Sequence, residues 1–197
     1  MSKRLFDLIF ASLGLVMLSP LLLLMAAWVK LDSTGPIFFR QERVGQHGKT
    51  FRIHKFRTMI TDTEKRGLQI TVGKDSRITR SGAFLRRYKL DELPQLIDVV
   101  IGNMSLVGPR PEVPKYVACY PADVRDLVLS VKPGITDLAS IEFKDENTLL
   151  GQSSNPEKTY KEQILPIKLD YYTQYARKHN LLLDINLIFK TLVAIVR

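Results

Sequence analysis

The longest stretch of unbroken apolar character runs from Leu8 to Val29, 22 residues without a charge between Asp7 and Lys30. As a straight helix it would be about 33 Å long, enough to cross a hydrocarbon core of about 30 Å. Ser19-Pro20 sits in its middle. Proline removes a helical hydrogen bond and the serine hydroxyl can bond back to a carbonyl, so the pattern predicts a bend there. A bent segment can enter and leave one leaflet, whereas a straight one crosses. Lys3 and Arg4 precede the run, and Lys30, Arg40 and Arg43 follow it, so the positive-inside tendency draws both ends toward the cytoplasm. A re-entrant hairpin satisfies both ends and a plain crossing satisfies one. Membrane helices tolerate proline, so on these residues alone both placements stand. No small-x-small cleavage site follows the run, which argues against a removed signal sequence.

Past this anchor the apolar periods shorten. Pro36-Ile37-Phe38-Phe39 with Phe51-Arg52-Ile53 predicts a β-hairpin turning through Gly45 to Gly48. Leu90 to Val100 reads as a helix with Pro94 in its first turn and Gly102-Asn103 ending it. Val113 to Val131 holds a second helical stretch, interrupted near Pro121 and closed by Pro133-Gly134, and the chain from about Glu157 to Arg197 is mostly helical in pattern. The final segment, Leu181 to Val196, leaves few polar positions. Such a helix packs into a core or rests at a membrane interface with Lys190 snorkelling. No internal repeat or low-complexity segment interrupts the chain.

At 197 residues the chain is long enough for one domain with a real core. Its charge is uneven: residues 1 to 92 carry 17 Lys/Arg against 8 Asp/Glu, and residues 93 to 197 carry 12 of each. The whole net charge of +9 therefore lies in the first half, which points to nucleic acid, phosphorylated small molecules or an anionic membrane surface as partners. Cys119 is the only cysteine, so an intrachain disulfide is excluded, as suits a reducing cytoplasm.

The candidate chemistry lies between Arg40 and Pro111. Asp91-Glu92 stands just before Leu93-Pro94, which places the pair at a helix N-terminus, where partial positive charge keeps carboxylates ionised and favours phosphate. Neighbouring residues on a helical turn point about 100° apart, so one carboxylate can attack a phosphorus while the other holds a metal. An isolated acidic pair is most often just first-turn decoration, but here the neighbours change the reading. Arg86, Arg87 and Lys89 lie just upstream, Gly108-Pro109-Arg110-Pro111 follows, and Arg43 and His54-Lys55-Phe56-Arg57 add further cations. Prolines on both sides of Arg110 fix its backbone, as suits bidentate phosphate binding.

Together these stretches resemble the bacterial sugar transferases, or small monotopic phosphoglycosyl transferases. The resemblance rests on Lys3-Arg4-Leu5-Phe6-Asp7, the Ser19-Pro20 break, Phe39 to Gly45, Lys55-Phe56-Arg57-Thr58-Met59, Asp91-Glu92-Leu93-Pro94-Gln95, Gly102 to Pro111 and Pro133-Gly134-Ile135-Thr136. The Asp91 and Gly102 to Pro111 blocks are the specific ones. The resemblance implies an α+β fold without a Rossmann sheet, a re-entrant membrane helix broken at Ser19-Pro20 over residues 1–30, and a cytoplasmic catalytic domain over 31–197 with short strands and membrane-surface helices. It further implies transfer of phospho-sugar from a UDP-sugar to polyprenyl (undecaprenyl) phosphate at the bacterial inner membrane, releasing UMP. Asp91 would be the nucleophile and Glu92 the Mg²⁺ ligand. Lys55, Arg86 and Arg110 would surround the phosphates, with Arg43 and Arg57 beside them. Phospholipid is the expected surface and nucleic acid is not an expected partner, while the apolar C-terminal helix offers a route to homo-oligomers.

One stretch departs from the family pattern. Where relatives often read Pro-Gly-Ile-Thr-Gly and then Ala-Gln, this chain has Asp137 and Ser140, which puts substrate choice in question if the loop meets the sugar. The acidic stretch Glu142 to Asn147 reads as a solvated loop or as a reader of sugar hydroxyls or amino groups. The residues also admit a membrane-tethered basic adaptor without chemistry, or a polyprenyl-dependent phosphotransferase with a non-sugar donor.

Overall fold

The first half of the fold is organised by one long helix with a domain laid against it. The structure is a computed structural model that describes residues 2–61, 75–142 and 146–196. Helix α1 (Ser2–Asp32) runs continuously through Pro20, where the sequence predicts a break. Pro20 cannot donate to the Val16 carbonyl, and the Ser19 hydroxyl donates to that same oxygen at 2.8 Å. The bond lost to proline is thus replaced from the adjacent residue, and the helical path continues.

One stripe of α1 is buried along its length. Asp7, Ala11, Met25 and Val29 are covered, and Leu15, Leu18, Leu22 and Ala26 pack half-buried between them. The opposite face is bare and apolar: Val16, Met17, Leu23 and Leu24 are each at least 70% exposed. Both ends are tied by polar contacts to the same body. At the start, Lys3 reaches Asp184 at 2.5 Å, Arg4 donates to the Val99 and Val100 carbonyls, and Asp7 accepts from Ser105 and Leu106. At the far end, Asp32 accepts from the backbone and hydroxyl of Ser81.

Four short strands follow. β1 (Phe38–Phe39) pairs antiparallel with β4 (Lys55–Phe56), and β2 (Glu42–Val44) pairs with β3 (Thr50–Arg52). The predicted hairpin exists, but Phe38-Phe39 meets Lys55-Phe56 rather than Phe51 to Ile53, and β2 with β3 makes the inner pair. The turn is a 3₁₀ segment, Gln46–Gly48, with His47 and Gly48 both at positive φ.

α2 (Arg80–Arg87) is capped by Thr79, which accepts from the Gly82 N–H. A 3₁₀ turn, Leu90–Glu92, then leads through Pro94 into α3 (Gln95–Ile101), closed by Gly102 at φ 94°. The predicted helix is therefore split, with the acidic pair one turn ahead of α3. β5 (Ser105–Val107) lies parallel to β6 (Gly134–Thr136), with α4 (Pro114–Val117) and α5 (Ala122–Val128) between them in sequence. α6 (Leu138–Glu142), α7 (Glu146–Gln152) and α8 (Pro156–Thr159) precede a π-helical turn, Tyr160–Ile164, which continues into α9 (Leu165–Lys178). α10 (Leu181–Val196) follows.

Two core clusters matter for the site. Met25, Val29, Phe56 and Leu85 lock α1 to β4 and α2. Ala11, Ile53, Leu96, Val99 and Met104 lock it to α3 and the strand leading into β4. The last helix divides its two faces. Asp184 and Leu187 are buried, while Leu182, Ile185, Phe189 and Leu192 stand exposed.

Arg57 has a structural position. Its guanidinium donates to the carbonyls of Val29, Ser33, Thr34 and Pro36 at 2.5–3.2 Å, closing the C-terminal end of α1 rather than joining the acidic pair. Arg57→Met leaves these acceptors without their fork of donors and is expected to cost about 2–3 kcal/mol. Chemical denaturation should show the loss, with the donor KM unchanged.

Candidate active site

Three segments distant in sequence converge at the acidic turn. Lys89 adopts a left-handed conformation (φ 57°, ψ 21°), which turns the chain sharply out of α2 and into Leu90–Glu92. The Asp91 carboxyl faces inward with its side chain 4% exposed, and Lys55 of β4 meets it at 2.8 Å. The same ammonium lies 3.1 Å from Glu92 Oε1. Lys55 thus bridges both carboxylates from a strand held in register by Phe39.

Arg110 closes the other side of Glu92. Its guanidinium donates to both Glu92 oxygens, one at 3.1 Å and the other closer still. Burial works against the charge on Glu92, but Arg110 and then Lys55 outweigh it and hold the carboxyl well below its ordinary range. Glu92 in turn lifts Arg110 well above its usual value. The depressed Glu92 stabilises the fold above its ordinary pKa of 4.5, and that contribution is lost as pH falls through the lower folded value. Asp137 has the opposite sign, because burial raises its carboxyl and so favours the protonated folded form. Stability should therefore fall as pH drops below about 4.5, and Glu92→Gln, less stable at neutral pH, should show a smaller fall, as denaturant unfolding followed by far-UV circular dichroism at each pH would show.

Arg43 stands beside this group. It donates to the Pro111 carbonyl at 2.9 Å and to Gln41 at 2.7 Å, and lies 3.9 Å from Glu112. Its Nε is buried without a protein partner. A shallow open cleft is lined by Phe39, Arg43, Lys55, Glu92, Gln95 and Arg110 among others. The structure therefore gathers Asp91, Glu92, Lys55, Arg110 and Arg43. Arg86 lies half-buried in the last turn of α2, close enough to Asp75 to favour that group's charge, and Arg57 is at the end of α1.

Behind Arg43 is a buried network that the sequence did not reveal. Glu112 accepts from the Tyr160 hydroxyl at 2.6 Å, and Lys168 lies 3.6 Å from Glu112 and 3.1 Å from Glu146. The π turn brings Tyr160 inward here, a local irregularity of the kind common at functional sites. The only available signal was Glu112 next to Pro111, because its partners lie about 50 residues on. Glu146, within the acidic stretch, thus points inward to Lys168, while residues 143–145 of that stretch lie outside the described residues. The departure at Asp137 also has a local reason. Asp137 caps α6, accepting from the backbone of Ser140 at 2.9 Å and from its hydroxyl, with Arg110 near enough to favour its charge.

The chain matches the bacterial sugar transferase family along residues 1–197. The chain belongs to that family. It is 40% identical over 192 residues to a UDP-glucose:undecaprenyl-phosphate glucose-1-phosphate transferase of Klebsiella pneumoniae, covering 96% of this chain and 39% of that relative. It is 35% identical to a UDP-N-acetylgalactosamine-undecaprenyl-phosphate N-acetylgalactosaminephosphotransferase of Aeromonas hydrophila, covering 96% of this chain and 42% of the relative. The chain thus spans about two fifths of the length of these curated relatives. The exopolysaccharide production protein PSS of Rhizobium leguminosarum bv. phaseoli is 39% identical and matched over 98% of this chain and 94% of its own length.

A divalent cation fits the donor set in part. Mg²⁺ is usually held by one or two carboxylates together with substrate phosphate oxygens, and Asp91 and Glu92 supply adjacent hard oxygens. Among the described residues no group of three or more acidic, histidine or cysteine side chains is poised for a metal, so substrate oxygens would complete the shell.

Proposed function

We propose that this family member transfers phospho-sugar from a UDP-sugar to polyprenyl phosphate by a two-step route at a bacterial inner membrane. The observation that carries the reading is the single Lys55 ammonium set between Asp91 and Glu92, with Arg110 across Glu92. In the first step an Asp91 oxygen attacks the β-phosphorus of the donor. The bond from that phosphorus to the bridging oxygen breaks, UMP departs and an aspartyl phospho-sugar remains. In the second step an oxygen of the lipid phosphate attacks the same phosphorus, the Asp91–phosphorus bond breaks and the carboxylate is regenerated. Lys55 and Arg110 neutralise phosphoryl oxygens as charge shifts to the leaving group. Arg43, with one donor unsatisfied, adds to this field. Bound Mg²⁺, held by Glu92 and substrate phosphate, would supply further charge neutralisation.

α1 supports the membrane placement in this reading. Both of its ends are anchored to one body while its outer face is apolar, which supports a monotopic arrangement in which α1 enters and leaves the cytoplasmic leaflet. Trp28, Phe84 and Tyr88 cluster within 5.3 Å of their neighbours' ring centroids, and Arg87 lies over Tyr88, the amphipathic side chains that suit a headgroup boundary. The bare apolar face of α10 suits the same surface.

The test is UMP release by protein in detergent or nanodiscs with Mg²⁺, undecaprenyl phosphate and a panel of UDP-sugars. Lipid-dependent release from one donor would establish the transfer and identify the sugar. Repeated turnover that ignores the lipid, beyond one UMP per enzyme, or no release across the panel from folded protein, would overturn it.

A further inference from the structure

Immediately before the strand that carries Lys55 is a second carboxylate–base pair. Ile53 and Lys55 line the cleft, whereas the side chain of His54, in the link between β3 and β4, is turned to α3. Asp98 of α3 is fully buried and holds His54 twice. The His54 backbone N–H donates to Asp98 Oδ2 at 2.8 Å, and ring Nδ1 lies 2.8 Å from Oδ1. On the other side of the ring, Arg40 Nη1 is 2.6 Å from Nε2. Arg40 can only donate, so Nε2 accepts and Nδ1 carries the proton toward Asp98.

The two ends of this clamp belong to the reaction centre's own elements. Asp98 lies on the helix that continues directly from the Asp91-Glu92 turn, to which it is joined by the bonds Leu96 N–H to Leu93 and Ile97 N–H to Pro94. His54 immediately precedes Lys55. One rigid piece therefore presents the two acids and also grips the strand that delivers the lysine between them.

We propose that Asp98, acting through His54, is a positioning residue that fixes Lys55 between Asp91 and Glu92. The inference rests on reading those three residues as the reaction centre. Nothing in it requires His54 or Asp98 to touch substrate, and its expected effect is on the chemical step.

The test compares Asp98→Asn, His54→Asn and His54→Phe in the full chain. Asp98→Asn keeps shape but puts a donor toward Nδ1–H, forcing the ring into the tautomer that opposes Arg40. His54→Asn places an amide nitrogen where Nδ1 stood, whereas His54→Phe keeps bulk and loses both ring bonds. Asp98→Asn and His54→Phe are expected to lower kcat by about tenfold to a hundredfold, as small misplacements of a catalytic group do. Donor KM should hold, and the kcat loss should persist at temperatures where each variant is fully folded. His54→Asn should retain kcat within about threefold. Wild-type kcat in Asp98→Asn and His54→Phe, or a loss that is confined to KM or that vanishes once the folded fraction is allowed for, would overturn the proposal. Equal losses in His54→Asn and His54→Phe would do the same. Should Asp98→Asn not fold, the His54 pair decides alone. Turnover surviving in Asp91→Asn would instead bring down the reaction centre, and this inference with it.

Discussion

Asp91→Asn is expected to lower lipid-dependent UMP release by at least about 10³-fold, the scale on which removing a nucleophile acts, while the protein stays folded. The amide is isosteric with the carboxylate and has no anionic oxygen with which to attack phosphorus. Its stability cost should be small for a buried acid, because Lys55 keeps Glu92 as a partner at 3.1 Å when Asp91 is neutralised. Rapid quench with labelled donor separates the steps: wild type should show protein-bound label that polyprenyl phosphate discharges, and the variant none. Glu92→Gln gives the contrast. It leaves Arg110 without its carboxylate and should weaken both stability and turnover. Label trapped on the Asp91→Asn protein would place the nucleophile elsewhere.

Much of this site was legible because its residues are neighbours in sequence or belong to short, specific blocks. The acidic turn before Pro94, the closing Gly102 and the proline-framed Arg110 all follow from backbone chemistry that acts within a few residues. What escaped was tertiary. Arg57 sits two residues after Lys55 and has the same charge, yet it turns to four carbonyls at the end of α1. No local signal separates a guanidinium that caps a helix from one that binds phosphate. Glu112 reads as a polar residue after a proline, and only the folded chain brings Tyr160 and Lys168 to it. The hairpin is legible in the sequence but its pairing is not, because two-residue strands offer too short a pattern to fix register. At Ser19-Pro20 the sequence predicted the serine's bond to a carbonyl correctly. That same bond explains why the helix remains continuous.

Gly134→Ala should destabilise the protein by about 3 kcal/mol or more, at the upper end for small-to-large changes in packed interiors. The cause is space. A β-carbon at Gly134 would stand 2.0 Å from the Gly108 nitrogen and 2.6 Å from its oxygen, and one at Gly108 would stand 2.3 Å from the Lys132 oxygen. These contacts are with backbone, so no rotamer change relieves them. The close approach also serves the site. Parallel bonds from Ser105 to Pro133, Gly108 to Thr136 and Gly134 to Pro109 fasten the two segments together, and Arg110 leaves that seam one residue later to reach Glu92. Separating the strands therefore moves Arg110 as well. Gly134→Ala should lose turnover even at temperatures where it remains folded. Gly48→Ala separates space from conformation: at φ +76° with nothing within 4 Å of its added carbon, it should cost only about 1 kcal/mol and leave kcat unchanged. Denaturant unfolding beside UMP release would check both. A Gly134→Ala protein of wild-type stability and turnover would show that the seam can open without disturbing Arg110.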